Sequence, residues 1–167
     1  TQQISPGNFP IQEYARHLGI ERQCWFLNPY IASFKADSHT VVEEINCFDV
    51  YLNPSMTEGF GLGMIESQAC GVPPIGNNCH SMPELVIPGK TGFICNTDSP
   101  WWRSLLCYVY PPNVDSLHEK MEEAFKLVQN PRTAEFCRKN VVENYNIDRL
   151  FEKQWLPFLI ELQQEIL

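Results

Sequence analysis

Short β-branched and aromatic runs alternate with amphipathic stretches along the 167 residues, which predicts an α/β fold with a doubly wound parallel sheet. The run Asp49-Val50-Tyr51-Leu52-Asn53 has the composition of a buried strand. It passes through a turn containing Gly59 and Gly61 into helix formers on a 3.6 period (Leu62, Ile65, Ala69), closed by Gly71 where a C′ glycine belongs. A content of 44% hydrophobic and 19% charged residues is ordinary globular composition, and the length suffices for one domain with a sizeable core.

The elements follow in order. Ile11 to Leu18 carries apolar residues at helical spacing and stops at Gly19, with His17 read as a surface residue. Cys24-Trp25-Phe26-Leu27 predicts a short strand ended by Asn28-Pro29-Tyr30. Thr40-x-x-Glu43 reads as a capping box, with His39 in the loop ahead and a helix through Val42 and Ile45 towards Phe48. Pro54 suits the end of the strand that follows, since proline cannot donate to the ladder. Ile75-Gly76 closes the next strand, Asn77-Asn78-Cys79-His80-Ser81 reads as the loop at its end, and Met82 to Val86 as a short helix. Residues 95–112 form a long aromatic connection, read as a packed loop with a short edge strand. Val114 to Gln129 has Leu117, Met121, Ala124, Phe125 and Val128 on one face, with Asn113 or Asp115 as its cap. Pro131-Arg132 opens a helix through Tyr145. A final helix from Ile147 carries Leu150, Phe151, Trp155, Phe158, Leu159 and Leu162, and Pro157 predicts a kink in it.

Composition narrows the function. The net charge of −8 argues against nucleic acid as a partner, because phosphate backbones call for basic patches. No apolar run reaches membrane-spanning length and no signal-peptide pattern opens the chain. Seven cysteines are scattered without a C-x-x-C pair, so no zinc site is signalled and a reducing, cytoplasmic setting is expected. The first residue is Thr1, so the chain reads as part of something longer.

The chemistry concentrates in the glycine turn. Backbone there can approach a ligand closely, and the helix that follows aims N–H groups outward, a ready site for phosphate. Glu58 stands at the mouth of the turn and Glu66 about one turn into the helix. Eight residues of continuous helix would separate them by roughly 12 Å. Hydrolytic carboxylate pairs sit closer, roughly 5 to 9.5 Å apart. The spacing therefore suits two ends of an extended ligand, each carboxylate accepting from vicinal hydroxyls with a phosphate between. Unliganded glycine turns and solvated glutamates also occur in many α/β proteins. A nicotinamide-dinucleotide site fits poorly, because Met64 stands where the third glycine belongs.

Asn53-Pro54-Ser55, then Glu58-Gly59-Phe60-Gly61 and Glu66, resembles the Glu-x7-Glu signature of retaining family-4 glycosyltransferases of the GT-B fold. Gly71-Val72-Pro73-Pro74-Ile75, Pro83-Glu84-Leu85-Val86 and Gly89-Lys90-Thr91-Gly92-Phe93-Ile94 resemble that family's succeeding segments, in order and at the usual spacing. The resemblance implies the Rossmann-like C-terminal half of a GT-B enzyme: residues 1–146 a nucleotide-sugar-binding domain, residues 147–167 a helix packing back on it or crossing towards an N-terminal acceptor-binding domain. It implies Glu58 at the donor sugar hydroxyls as the catalytic carboxylate. Gly59, Phe60, Gly61 and Leu62 would hold sugar and diphosphate, and Glu66 the ribose diol. The nucleotide diphosphate-sugar is then the substrate, with no other cofactor and no metal, and an acceptor sugar or glycan is the second partner. One departure concerns the donor loop, where a glycine pair usual in the family is replaced by His80-Ser81. His80 is open to two readings, a donor to phosphate or sugar hydroxyl and an ordinary loop residue. The segment after Leu27 corresponds to one near the nucleotide base, where Tyr30 either stacks or serves as a turn aromatic. The family's diphosphate-neutralising Arg and Lys would lie upstream, so residues 1–167 alone are expected to be inactive. The alternative is a non-catalytic nucleotide- or glycan-binding module of the same fold.

Overall fold

The structure, a computed structural model, describes residues 10–26, 37–103 and 107–166. The chain divides into two compact units, Thr1–Glu43 and Glu44–Leu167. In the first, helix α1 (Ile11–His17) ends at Gly19 in the left-handed region, and Arg16 reaches Glu21 through a paired contact of 2.9 and 3.2 Å. Cys24 to Phe26 form no strand, contrary to expectation. Their composition favours a ladder, but a strand exists only where a partner supplies one. Leu27 and Tyr30 lie outside the described residues.

Helix α2 (Ser38–Ile45) starts earlier than the sequence predicts. Its cap is Asp37, whose Oδ1 accepts from the Thr40 amide and hydroxyl, both at 2.9 Å. A carboxylate is the stronger acceptor, and these bonds hold Asp37 below its ordinary pKa. Thr40 is thus the capped residue rather than the cap. His39 belongs to the first turn and lies 3.3 Å from Glu43 at i+4.

The second unit is built on the parallel sheet β1 (Tyr51–Asn53), β2 (Pro74–Asn77) and β3 (Phe93–Cys95), in the order β1-β2-β3. The register pairs Leu52 with Ile75 and Asn77 with Cys95. Every residue of β2 is buried, as a central strand covered on both faces requires. Helix α3 (Leu62–Ala69) covers one face, where Met64, Met82, Leu85 and Val86 pack with Tyr51 and Ile94. Helix α4 (Val114–Leu127) covers the other, Ala124 closing on Ile75 and Phe93. Each fully buried apolar side chain of this size contributes roughly 1.5–3 kcal/mol. The doubly wound arrangement is therefore present. Asn113 caps α4, accepting from the Ser116 amide at 2.9 Å.

Helix α5 (Thr133–Asn144) braces α3 from outside. Asn140 donates to the buried Gln68 side chain at 2.8 Å, and Gln68 in turn donates to the Met64 and Leu85 carbonyls. Arg138 donates to the terminal carbonyls of Ala69 and Cys70, a favourable charge at a helix C-terminus. Beyond β3 the aromatic connection is a hairpin rather than a packed loop, β4 (Trp101–Arg103) antiparallel to β5 (Cys107–Val109). Every β4 residue is exposed, and only Val109 of the pair is buried.

The C-terminal segment runs through α6 (Ile147–Leu150), a wide π turn at Phe151–Trp155 and α7 (Leu156–Ile166). Pro157 accounts for the widening, since it offers no N–H to the turn before it and its ring crowds the carbonyl there. Ile147, Phe151, Trp155, Phe158 and Leu159 all stay exposed. Among the described residues no helix is long and apolar enough to cross a membrane. A cavity of about 280 Å³ opens on the α4 side of the sheet, lined by Val50, Leu52, Met121 and Phe125 among others. That leaves Met121 about half and Phe125 two-thirds exposed, so the predicted apolar face of α4 is only partly covered.

Candidate functional site

The carboxyl end of β1 is shaped by side-chain clasps. Asn53 Oδ1 accepts from the Ser55 hydroxyl at 2.6 Å and its amide at 3.3 Å, turning the chain at Pro54. Asn53 Nδ2 donates to Glu58 Oε2 at 3.4 Å, while Glu58 Oε1 accepts from the Gly59 amide at 3.2 Å. Glu58 is thereby laid, half-buried, across the mouth of the turn.

Gly61 forms the N-cap of α3 at φ +93°, a conformation that disfavours any side chain, and a Cβ there would lie 2.9 Å from Leu85 Cδ1. A second glycine requirement was not visible in the sequence. The Tyr51 hydroxyl lies where a Cβ of Gly63 would stand, so strand and helix meet through a phenol resting on bare backbone. Burial first, then the Glu66 and Glu58 carboxylates, push the Tyr51 phenol up from its ordinary pKa. Both carboxylates therefore act on one hydroxyl beneath the first turn of α3.

Leu62 and Glu66 are exposed four residues apart on the outer face of α3, opposite the buried Met64, Ser67 and Gln68. Phe60 is exposed, its ring edge-on to Tyr145 with centroids 6.3 Å apart.

The loop after β2 closes on the same edge. The Ser81 hydroxyl bridges to the Gly59 and Phe60 carbonyls at 3.1 and 2.8 Å. His80 is exposed and sits at φ +50°, left-handed for a residue that is not glycine, with its ring edge-on to Tyr110 at 5.4 Å. The short helix expected from Met82 to Val86 is a single turn, Met82–Glu84.

Buried Asn77 ties these loops together, donating to the Ser55 carbonyl at 3.1 Å and the Tyr110 carbonyl at 2.6 Å. Cys79 contacts the Ser55 carbonyl, and burial with nearby Glu58 and Cys95 pushes its thiol up to about 11. Glu58, Gly59, Phe60, Gly61 and Ser81 are thus joined directly, with Leu62 and Glu66 continuing along α3 and His80 on the adjoining loop. Tyr51, Asn53, Asn77 and Tyr110 hold them. Asn53 opens the signature segment, whereas Tyr51 and Tyr110 carry no signal beyond strand and connection, and Asn77, expected in the loop, is the last residue of β2. Among the described residues no three His, Cys, Asp or Glu side chains converge as a metal site would require.

The arrangement is an extended polar ledge at the carboxyl edge of a parallel sheet, where α/β folds bind ligands, with a helix start at its centre. Residues 5–101 match the family described as Glycosyl transferases group 1. The chain belongs to that family. Among curated relatives of this group 1 chain, N-acetyl-alpha-D-glucosaminyl L-malate synthase of Bacillus anthracis is 36% identical over 85 residues, which are 51% of this chain and 20% of that protein. The chain therefore spans about a fifth of that relative's length. Among solved structures, Anabaena HepE in complex with UDP superposes with a TM-score of 0.68 at 19% identity, covering 90% of this chain and 36% of that one. The C-terminal domain of a glycosyl transferase group 1 family protein from Francisella tularensis gives 0.61 at 20% identity, over 82% and 61% of the two chains. The fold of this group 1 chain is that of the GT-B glycosyltransferases.

Proposed function

We propose that the chain is the donor-binding part of a retaining glycosyltransferase, which moves a sugar from a nucleotide diphosphate-sugar to an acceptor sugar or glycan. The observation that carries this reading is the Ser81 bridge to Gly59 and Phe60, which fixes Glu58, the left-handed Gly61 and the His80 loop around one helix start. The donor sugar lies against Glu58, whose carboxylate accepts from its hydroxyls. The backbone from Gly59 to Leu62 holds sugar and diphosphate, and the α3 N-terminus stabilises charge gathering on the departing diphosphate. Glu66 accepts from the ribose diol, and His80 donates to the diphosphate or a sugar hydroxyl. Family membership supports the chemistry, and a fold neighbour in complex with UDP supports a nucleotide as ligand.

The acceptor is held by an N-terminal domain, against which the exposed Phe151, Trp155, Phe158 and Leu159 dock. The reaction uses no metal, and residues 1–167 alone do not turn over. Transfer or donor hydrolysis by this chain in isolation would overturn the last statement.

Saturation-transfer NMR with an equimolar mixture of UDP, GDP and ADP tests the donor site. One nucleotide is expected to respond and to fade with Glu66→Ala. Silence from all three at millimolar concentration on folded protein would overturn the reading.

A further inference from the structure

Tyr110 follows β5 directly, beyond the residues 5–101 that match the family, and the donor contacts proposed above do not include it. Its backbone is nonetheless pinned to both loops of the ledge. The Tyr110 amide donates to the Met56 carbonyl at 2.9 Å, in the turn between Asn53 and Glu58. Its carbonyl accepts from Asn77 Nδ2 at 2.6 Å, at the end of β2. The chain around it is tied down as well, the Asp98 amide donating to the Pro111 carbonyl at 2.8 Å and Thr97 bridging Pro112. The part-buried ring packs against the core cluster that contains Met64 and Met82. A ring anchored through its backbone and through the core is a fixed surface.

His80 rests on that surface. The two rings meet at 88° with centroids 5.4 Å apart, an edge-to-face pair. The His80 backbone holds a left-handed φ of +50°, uncommon for a residue other than glycine. Its side chain is exposed and forms no hydrogen bond or ion pair with any described residue. The ring nitrogens are therefore free for a ligand, while the contact with Tyr110 limits the rotamers the imidazole can take. On the other side of the same loop, the Ser81 hydroxyl bonds to the Gly59 and Phe60 carbonyls at 3.1 and 2.8 Å. One residue of the loop is thus locked to the glycine turn, and its neighbour is steered by Tyr110.

We propose, on the donor-site reading above, that Tyr110 is a positioning residue which holds the His80 imidazole ready to donate to the diphosphate or a donor sugar hydroxyl. A side chain already restricted in its rotamers loses less entropy when it grips a ligand. The Tyr110 hydroxyl has no hydrogen-bond partner among the described residues, and the edge-to-face contact needs only the ring. Phenylalanine should therefore serve in its place, and an aliphatic side chain should not.

The test is a double-mutant cycle read as nucleotide affinity, by NMR titration of the 167-residue chain with UDP, GDP and ADP separately. For the nucleotide that binds most tightly, Tyr110→Leu and His80→Gly are each expected to weaken affinity about three- to tenfold. Together they should weaken it no more than either does alone, because Tyr110 acts through His80. Tyr110→Phe is expected to retain the parent affinity. A purely structural role for Tyr110 gives the opposite pattern, a loss that persists in full when His80 is already replaced. Losses that multiply, full affinity in Tyr110→Leu or His80→Gly, or an equal loss in Tyr110→Phe and Tyr110→Leu would each overturn the proposal. The donor site itself would stand so long as binding still fades with Glu66→Ala. Binding of no nucleotide, or binding indifferent to Glu66→Ala, would instead sink the donor reading and this proposal with it. Should Tyr110→Leu fail to fold, the parent chain decides. Its His80 Cε1–H resonance is expected to shift on nucleotide addition while keeping an Overhauser contact to the Tyr110 ring. An unmoved resonance, or loss of that contact in the bound state, would overturn the proposal.

Discussion

His80 holds a φ of +50° in the loop beside the polar ledge. Left-handed backbone costs a residue with a Cβ roughly 1–2 kcal/mol. Glycine would remove that cost, but it adds roughly 0.5–1 kcal/mol of unfolded-chain entropy and forfeits a ring contact with Tyr110 worth roughly 0.5–1.5 kcal/mol. His80→Gly is therefore expected to change stability in urea by less than about 1 kcal/mol, whereas β-branched His80→Val should cost about 1–2 kcal/mol. If the imidazole meets the diphosphate, the stability-neutral His80→Gly weakens nucleotide binding severalfold. Unchanged binding would make His80 a loop residue alone. A second residue-scale consequence concerns pH. Burial raises the Cys79 thiol from an ordinary value near 9 to about 11 and the Cys137 thiol to about 12. The unfolded chain loses these protons first, so the contribution is intact below about pH 9 and is lost as pH rises towards 11 and 12. Burial raises the Tyr51 and Tyr145 phenols too, which act in the same direction. Urea midpoints should fall progressively above pH 9, and less steeply in Cys137→Ala.

Between elements, the site depends on two joints. Tyr51 and Gly63 couple β1 to α3, so Gly63→Ala must displace a partly buried ring and should cost about 1–3 kcal/mol. Tyr51→Phe removes the nearest atom and should recover part of that loss in a double-mutant cycle. Asn77 couples β2 to the Ser55 loop and to the hairpin root. Asn77→Ala takes the amide donor from the part-buried Ser55 and Tyr110 carbonyls, leaving Ser55 only the Cys79 thiol, and should cost about 1–3 kcal/mol by urea denaturation. These joints explain what the sequence could and could not disclose. The β1–turn–α3 unit was legible because strand composition, cap glycine, helical period and C′ glycine are encoded within one contiguous stretch. Asn77 acts on residues 22 and 33 positions away, and Tyr51 acts on a glycine across the turn, so neither carries a local signal. Local signals also misled where two competed. Asp37 and Thr40 both fit a cap, and the carboxylate took the role. Cys24 to Phe26 have strand composition without a described partner, and the aromatic connection reads as a packed loop because ring content alone does not show that β4 and β5 pair with each other and leave their rings exposed.

Charge decides at the scale of the whole molecule. A chain of net charge −8 is proposed to bind an anionic nucleoside diphosphate, and two of its carboxylates, Glu58 and Glu66, belong to the ledge itself. The attraction available locally comes from helix N–H groups and hydroxyl donors, which act over a few ångströms and are little affected by salt. The repulsion comes from the summed acidic surface and reaches as far as the Debye length, which shrinks from about 30 Å at 0.01 M salt to about 8 Å at 0.15 M. Salt therefore removes the unfavourable part and leaves the favourable part. Affinity for the responding nucleotide should tighten about two- to threefold over that range, the reverse of what a basic phosphate pocket gives. The shift should be smaller for the uncharged nucleoside, which separates screening from any general effect of salt on the fold. Affinity that weakened with salt would require a cationic cluster at the ledge, and would replace the helix terminus with that cluster as the group that holds the diphosphate.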